Sequence, residues 1–190
     1  MGKSLLRRGF KADAERLAQK LRLDLGKSAT DSLSAEELAK KLKIRILKIQ
    51  DLRLSLNQIK KIQDSPYSFS ACTLNNKDGE KIIIHNEFHS PGRQQSNLMH
   101  EMAHILCEHP LPEARILNGY PFPLREYNVT HEAEAETLGG TLQVTREGLL
   151  WALKKRMTVG EIAIYYGATK NMINYRIKLT GVRKQLARWR

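Results

Sequence analysis

Four of the chain's six prolines, Pro110, Pro112, Pro121 and Pro123, fall inside one stretch, HPLPEARILNGYPFPLREY, at residues 109–127. Proline fixes φ and removes a backbone donor, so no continuous helix or strand can cross this segment. It is expected to be a loop that walls a cleft. Ahead of it, Pro91 and Gly92 break the chain before a run in which Leu98, Met102, Ile105 and Leu106 recur at helical spacing. Beyond it, THEAEAETLGGTLQV resumes helical character, with Thr130 expected as N-cap and acids crowding the positive end of the helix dipole. The loop therefore separates two helices, and the chemistry-bearing residues lie on both.

The flanking sequence supplies a sheet and more helices. Residues 10–25 carry Ala12, Leu17 and Leu21, with Ala14 and Ala18 on the neighbouring edge, and Gly26 closes the segment. Ser34 followed by Glu37 is a capping box that opens a short second helix with Leu38 and Leu42 on one side. IRILKIQ, YSFSACTL and EKIIIHN are brief β-branched or alternating runs separated by polar turns, which predicts a small mixed sheet. A length of 190 residues suits one domain with an appendage, or two small domains, able to bury a core without staples. The composition changes to basic and helical from Thr145 onward, so the predicted division is 1–145 and 146–190.

Charge and cysteine usage narrow the function classes. Residues 151–190 hold ten Lys or Arg against the single acid Glu161, a surplus of nine out of a net charge of +12. A polyanionic partner, if there is one, would meet that tail. No apolar run approaches the roughly 18 residues of a membrane span, and the N-terminus has no signal-length apolar stretch, so a cytoplasmic protein without a membrane partner is expected. Cys72 and Cys107 form no zinc or redox spacing and read as small reduced thiols.

Residues 97–104 read NLMHEMAH. On an α-helix a four-residue step turns about 400°, so His100 and His104 stack on one face and can offer two imidazole nitrogens to one ion. Glu101 sits about 100° round the helix, too far to be a third ligand but placed to hold an attacking water. This is the H-E-x-x-H arrangement, whose glutamate serves zinc peptidases as general base. Position 107 is Cys and 110 is Pro, where the metzincin extension needs Gly and His, so the third ligand should come from the acidic run after the loop. Glu132, Glu134 and Glu136 are candidates, with His131 a weaker one. Glu132 and Glu136 share a face while Glu134 points nearly opposite, which assigns Glu132 as ligand and Glu136 as the acceptor that orients His100 or His104. His85 and His89 read as surface or supporting groups, and His109 as a histidine facing the helix C-terminus. Tyr120, Arg125 and Tyr127 in the loop are candidates to stabilise an oxyanion.

These residues resemble the ImmA/IrrE metallopeptidases. The likeness runs through RRGFKADAERLAQKLRLDLG, KIIIHNEFHSPGRQQSNLMHEMAHILCEH, EAEAETLGGTLQV and MINYRIKLTGVRKQ, with the central block the specific part. In that family the second helix reads E-x-x-A-N or E-x-x-A-D followed by F-A-A. Here Glu132 and Ala135 fit, Glu136 replaces Asn or Asp, and Leu138, Gly139 and Gly140 stand for the F-A-A stretch. The paired glycines weaken the helix by about 1 kcal/mol each relative to alanine. The resemblance implies a cytoplasmic zinc peptidase that cuts one partner, typically a helix-turn-helix repressor, and so relieves transcriptional silencing.

The basic segment has a pattern of its own. Thr158 with Glu161 is a capping box, Gly167 supplies a turn, and Thr169 caps a helix carrying Met172, Ile173 and Ile177, as in a helix-turn-helix. Lys170, Asn171, Asn174 and Arg176 would then be donors for phosphates, base edges or a protein partner. Plain scaffolding or a protein dock is the preferred reading, DNA contact the sharper one. The sequence thus predicts an α+β fold: a small mixed sheet with a zincin-type active-site helix, followed by a helical, helix-turn-helix-like segment. The rival is a DNA-binding regulator, or a toxin–antitoxin component, whose metal site is structural or vestigial. Zinc with no exchangeable ligand would favour that rival.

Overall fold

The computed structural model describes residues 5–65, 69–76, 79–111 and 128–187, and the backbone of 116–117 and 120–121. Helix α1 (Phe10–Leu23) buries Phe10, Ala14, Ala18 and Leu21, a stripe at four- and three-residue steps. Ala12, expected on that stripe, is exposed, because it stands two residues, about 200° of helix, from both Phe10 and Ala14. Helix α2 (Ala35–Leu42) starts at the Ser34–Glu37 capping box and buries Leu38. Strand β1 (Arg45–Lys48) is followed by helix α3 (Leu56–Asp64). Sequence periodicity did not indicate α3: it buries no residue, and its Ser55–Gln58 capping box is what starts it.

Strands β2 (Ala71–Asn75) and β3 (Lys81–His85) complete a three-stranded sheet of order β1-β3-β2. Strand β1 pairs with β3 in parallel, Ile46 opposite Ile83, and β2 pairs antiparallel, Thr73 opposite Ile83. The central strand is apolar on both faces, as a strand covered on both sides must be. Ile83 joins the main core, while Ile82 and Ile84 pack with Leu74 in a second layer. The fold is therefore α+β with a small mixed sheet, as the sequence predicted.

Helix α4 (Pro91–Leu106) lies on the Ile83 face, with proline in its first turn. Two short strands, β4 (Ile116–Leu117) and β5 (Tyr120–Pro121), pair antiparallel within the proline-rich loop. Helix α5 (Val129–Gln143) follows, and its N-cap is Asn128, whose side chain accepts from the backbone N–H of Thr130 and His131. Thr130 is thus inside the helix, two residues past the cap expected from sequence. Helices α6 (Arg146–Lys154), α7 (Val159–Tyr165), α8 (Lys170–Thr180) and α9 (Val182–Ala187) surround a separate apolar cluster of Leu149, Ala152, Ile162, Ile173 and Val182.

Two buried arginines tie this cluster to the rest. The end of α5, Gln143-Val144-Thr145, has no glycine or asparagine stop, yet the last carbonyls of a helix need donors. Arg22 of α1 donates to the carbonyls of Leu142 at 2.9 Å and Gln143 at 3.1 Å, and Arg176 of α8 donates to that of Val144 at 2.9 Å. Arg176 also pairs with Glu15 of α1 at 2.6 Å. Burial pushes the Arg22 guanidinium down to about 10, still charged at neutral pH. The paired glycines of α5 gain a reason as well. A Cβ on Gly139 would fall 3.0 Å from His100 Cα, and one on Gly140 would fall 3.0 Å from Arg176 Cδ. Gly139 lets α5 approach the backbone of α4, and Gly140 leaves room for the Arg176, Met172 and Tyr175 side chains of α8.

Candidate metal centre

The helical pitch puts His100 and His104 on the side of α4 that meets the first turns of α5. Met99, Met102 and Ala103 of the same helix are fully buried in the main core, which anchors the helix that carries the histidines. The His100 and His104 Nε2 atoms stand 3.0 Å apart. Glu132, in the first turn of α5, brings one carboxylate oxygen to 3.2 Å from His100 Nε2 and the other to 3.6 Å from His104 Nε2. The three residues form a group whose donor atoms lie within 4.8 Å of one another, a set able to hold a metal ion.

Glu101 is buried on the sheet side of the same helix, and the Thr73 hydroxyl of β2 donates to its Oε2 at 2.7 Å. One carboxylate oxygen is thereby fixed by the sheet. No sequence signal singled out Thr73, because its position is set by the pairing of β2 with β3 across the sheet face that α4 covers.

Other sequence expectations meet different surroundings. Glu136 is exposed, and the group behind His104 is instead His109, whose Nδ1 lies 2.8 Å from His104 Nδ1. His109 Nε2 in turn lies 3.0 Å from Glu134 Oε2. His109 was expected to face only the helix end; it is 6 % exposed and turned inward. The reason is how α4 stops. Glu108 takes a left-handed φ of 56°, the His109 N–H returns to the His104 carbonyl, and the Glu108 N–H returns to that of Ile105. That closure is a Schellman turn, and it swings His109 back beneath His104. His131 stacks on the His109 ring, centroids 4.3 Å apart. His85 and His89 are buried rather than surface groups; His89 meets the Asn97 amide at 3.1 Å.

Burial pushes the Cys107 thiol up to about 11 and Cys72, beside the Glu101 carboxylate, up to about 12, so both are protonated at neutral pH. In the basic segment Lys170, Asn171 and Asn174 are exposed along α8. Arg176, grouped with them from sequence, is 1 % exposed and committed to Glu15 and Val144, so it is unavailable to DNA or a partner. Arg125 and Tyr127 lie outside the described residues, as does the side chain of Tyr120.

A helix-borne pair of histidines met by a glutamate from the next helix, over a small mixed sheet, defines a metallopeptidase-like domain. A family model described as the IrrE N-terminal-like domain, Peptidase_M78, matches residues 39–178, and the chain belongs to this ImmA/IrrE family. A comparison with curated proteins gives no match. Among solved structures, a Mycobacterium tuberculosis transcriptional regulator is similar at 13 % identity and a TM-score of 0.51, over 90 % of this chain and 47 % of that one. At that identity the likeness concerns the fold, and the chain spans about half the length of that regulator. The family model runs through α4, α5 and most of α8, so the basic helices are part of what it matches. No described helix is long and apolar enough to cross a membrane.

Proposed function

We propose that the protein is a zinc-dependent endopeptidase, with His100, His104 and Glu132 as ligands and Glu101 as general base. The observation that carries this reading is the spacing of the donors, 3.0, 3.2 and 3.6 Å. Ligands at 2.0–2.1 Å from a tetrahedral zinc stand about 3.3 Å from one another, so the three residues present fit the ion with little adjustment. A bound zinc would supply a Lewis acid that polarises the scissile carbonyl and makes water easier to deprotonate.

The chain's own residues divide the remaining work. Glu101 takes a proton from the attacking water and returns it to the leaving amine, cycling between carboxylate and acid. Thr73 holds one of its oxygens so that the other faces the scissile bond. Strand β2 is an edge strand among the described residues, and an extended substrate segment can add to it by backbone hydrogen bonds, which brings a peptide bond beside Glu101. The substrate class, a helix-turn-helix repressor, is carried over from the family likeness, and the M. tuberculosis structure, described as a transcriptional regulator, supports no more than a regulatory setting.

Purified protein should hold about one equivalent of zinc, released by a chelator, and His104→Ala should hold none. Incubated with a candidate repressor, the loaded protein should yield discrete fragments by mass spectrometry, and the chelated protein should not. Full metal content in His104→Ala would sink the ligand assignment. Intact repressor with a fully loaded protein would favour the non-cutting regulator instead.

A further inference from the structure

His104 is fully buried, with Nε2 facing His100 and Glu132 and Nδ1 facing His109. Two imidazole nitrogens 2.8 Å apart must share a proton, one donating and the other accepting. With both rings neutral, the carboxylate beyond His109 decides which does which. An ionised carboxylate only accepts, so Glu134 requires the proton of His109 to sit on Nε2, 3.0 Å from its Oε2. Neutral His109 then has a bare Nδ1, which accepts from His104 Nδ1–H. His104 is thereby left with its Nε2 lone pair directed at the ligand cluster.

We infer that His109 and Glu134 form a positioning relay that fixes the tautomer and ring plane of His104, so that its Nε2 is always presented as a donor to the metal. The inference rests on the zinc reading and deepens it. Metal-binding histidines commonly pass their other N–H straight to a carboxylate or carbonyl. Here a second histidine is interposed between ligand and carboxylate. Three features hold the interposed ring. The Schellman turn fixes its backbone, Glu134 fixes its Nε2, and the nearly parallel His131 ring, 14° from its plane, covers one face. The two assignments to Glu132 and Glu134 also explain how acids two positions apart on α5 serve one site: Glu132 approaches it directly and Glu134 through His109.

The full chain labelled with 15N-histidine gives the first test. Long-range proton–nitrogen spectra should show His104 as the Nδ1–H tautomer and His109 as Nε2–H; His104 carrying its proton on Nε2 would overturn the relay. Zinc affinity by competition with a chromophoric chelator gives the second. His109→Leu, which offers neither donor nor acceptor, should bind about 10- to 100-fold more weakly. His109→Gln should recover most of that loss, because the amide oxygen can accept from His104 and the amide N–H can donate to Glu134. Glu134→Ala should lose several-fold. Wild-type affinity in His109→Leu at an unchanged unfolding midpoint, or a His109→Gln no tighter than His109→Leu, would overturn the relay alone. Failure of the wild type to take up zinc would remove the metal reading and the inference with it. Should His109→Leu fail to fold, Glu134→Ala and the wild-type spectra still decide, wild-type affinity in Glu134→Ala counting against the relay.

Discussion

The α4–α5 crossing and the α7–α8 pair both carry polar side chains on helices, and they dispose of those side chains in opposite directions. At the crossing, His100, His104 and Glu132 turn toward one another, and Glu134 reaches His109. Along α8, Lys170, Asn171, Asn174 and Lys178 turn outward, while Arg176 turns in, to satisfy Glu15 and a helix-end carbonyl. The contact between α7 and α8 is made by Ile162, Ala163, Ile173 and Ile177. What differs is the partner surface. Gly139 admits the α4 backbone so closely that side chains from two helices share one small volume, whereas α8 presents its polar edge to solvent. A polar face becomes a site when a second element stands within bonding distance of it.

The sharpest way to break this contrast is at Glu101. Glu101→Gln keeps the shape and the Thr73 contact but cannot take a proton, so cleavage should fall by about 100- to 10,000-fold while metal content is unchanged. A variant cleaving at the wild-type rate would leave the crossing with no catalytic advantage over the α7–α8 surface. Next in size is the inward-turned member of α8. Arg176→Ala strands the half-buried Glu15 carboxylate and the Val144 carbonyl, and should cost about 3 kcal/mol in urea unfolding. The outward Lys178→Ala should stay within about 0.5 kcal/mol. Equal effects would mean that α8 does not sort its side chains as described.

Glycine gives a matched pair across the two regions. At Gly139 a methyl group meets the His100 Cα and the Met99 carbonyl at 3.0 Å, backbone atoms with nowhere to go, so Gly139→Ala should destabilise by about 1–3 kcal/mol and weaken metal binding. At Gly160 of α7 the nearest atoms are the end of the Lys170 side chain at 3.6 Å and the Thr158 hydroxyl at 3.8 Å. Gly160→Ala should therefore stabilise by about 0.5–1 kcal/mol. A stabilising Gly139→Ala, read from thermal midpoints, would remove the close approach as the cause of the site.

The smallest effect concerns pH. The Thr158 backbone N–H, together with its hydroxyl, holds the Glu161 carboxyl below the usual carboxylate range. A folded-state value below the unfolded one contributes stability that is present above the unfolded pKa and is lost as pH falls through the folded value. The urea midpoints of wild type and Glu161→Gln should thus differ most above about pH 5 and converge on acidification. A gap that widens toward acid would show that the box is not the source of the shift.

Much of the fold was legible because its signals are local. The Ser34, Thr158 and Thr169 caps start helices where the sequence placed them, and the three β-branched runs became the three strands of the sheet. The pairing of His100 with His104 was legible for the same reason, since helical pitch alone stacks them. His109 was not, because its direction depends on a left-handed Glu108, a residue type that carries no turn signal. Thr73 was hidden by strand register, and Arg176 by a partner 161 positions away.

By itself, then, the sequence determined which residues stand in order along each element: two histidines on one helical face, a base beside them, acids on the next helix, and a break between. Periodicity and caps act over four residues, so one chain segment suffices to set them. Only the tertiary structure decided which acid meets which histidine. Helical pitch set Glu132 and Glu136 apart from Glu134, but it could not show that Glu134 reaches the site through His109 or that Glu136 stays exposed; those outcomes depend on how closely α5 meets α4, which Gly139 allows, and on the carbonyl-binding arginines, Arg22 and Arg176, at its end.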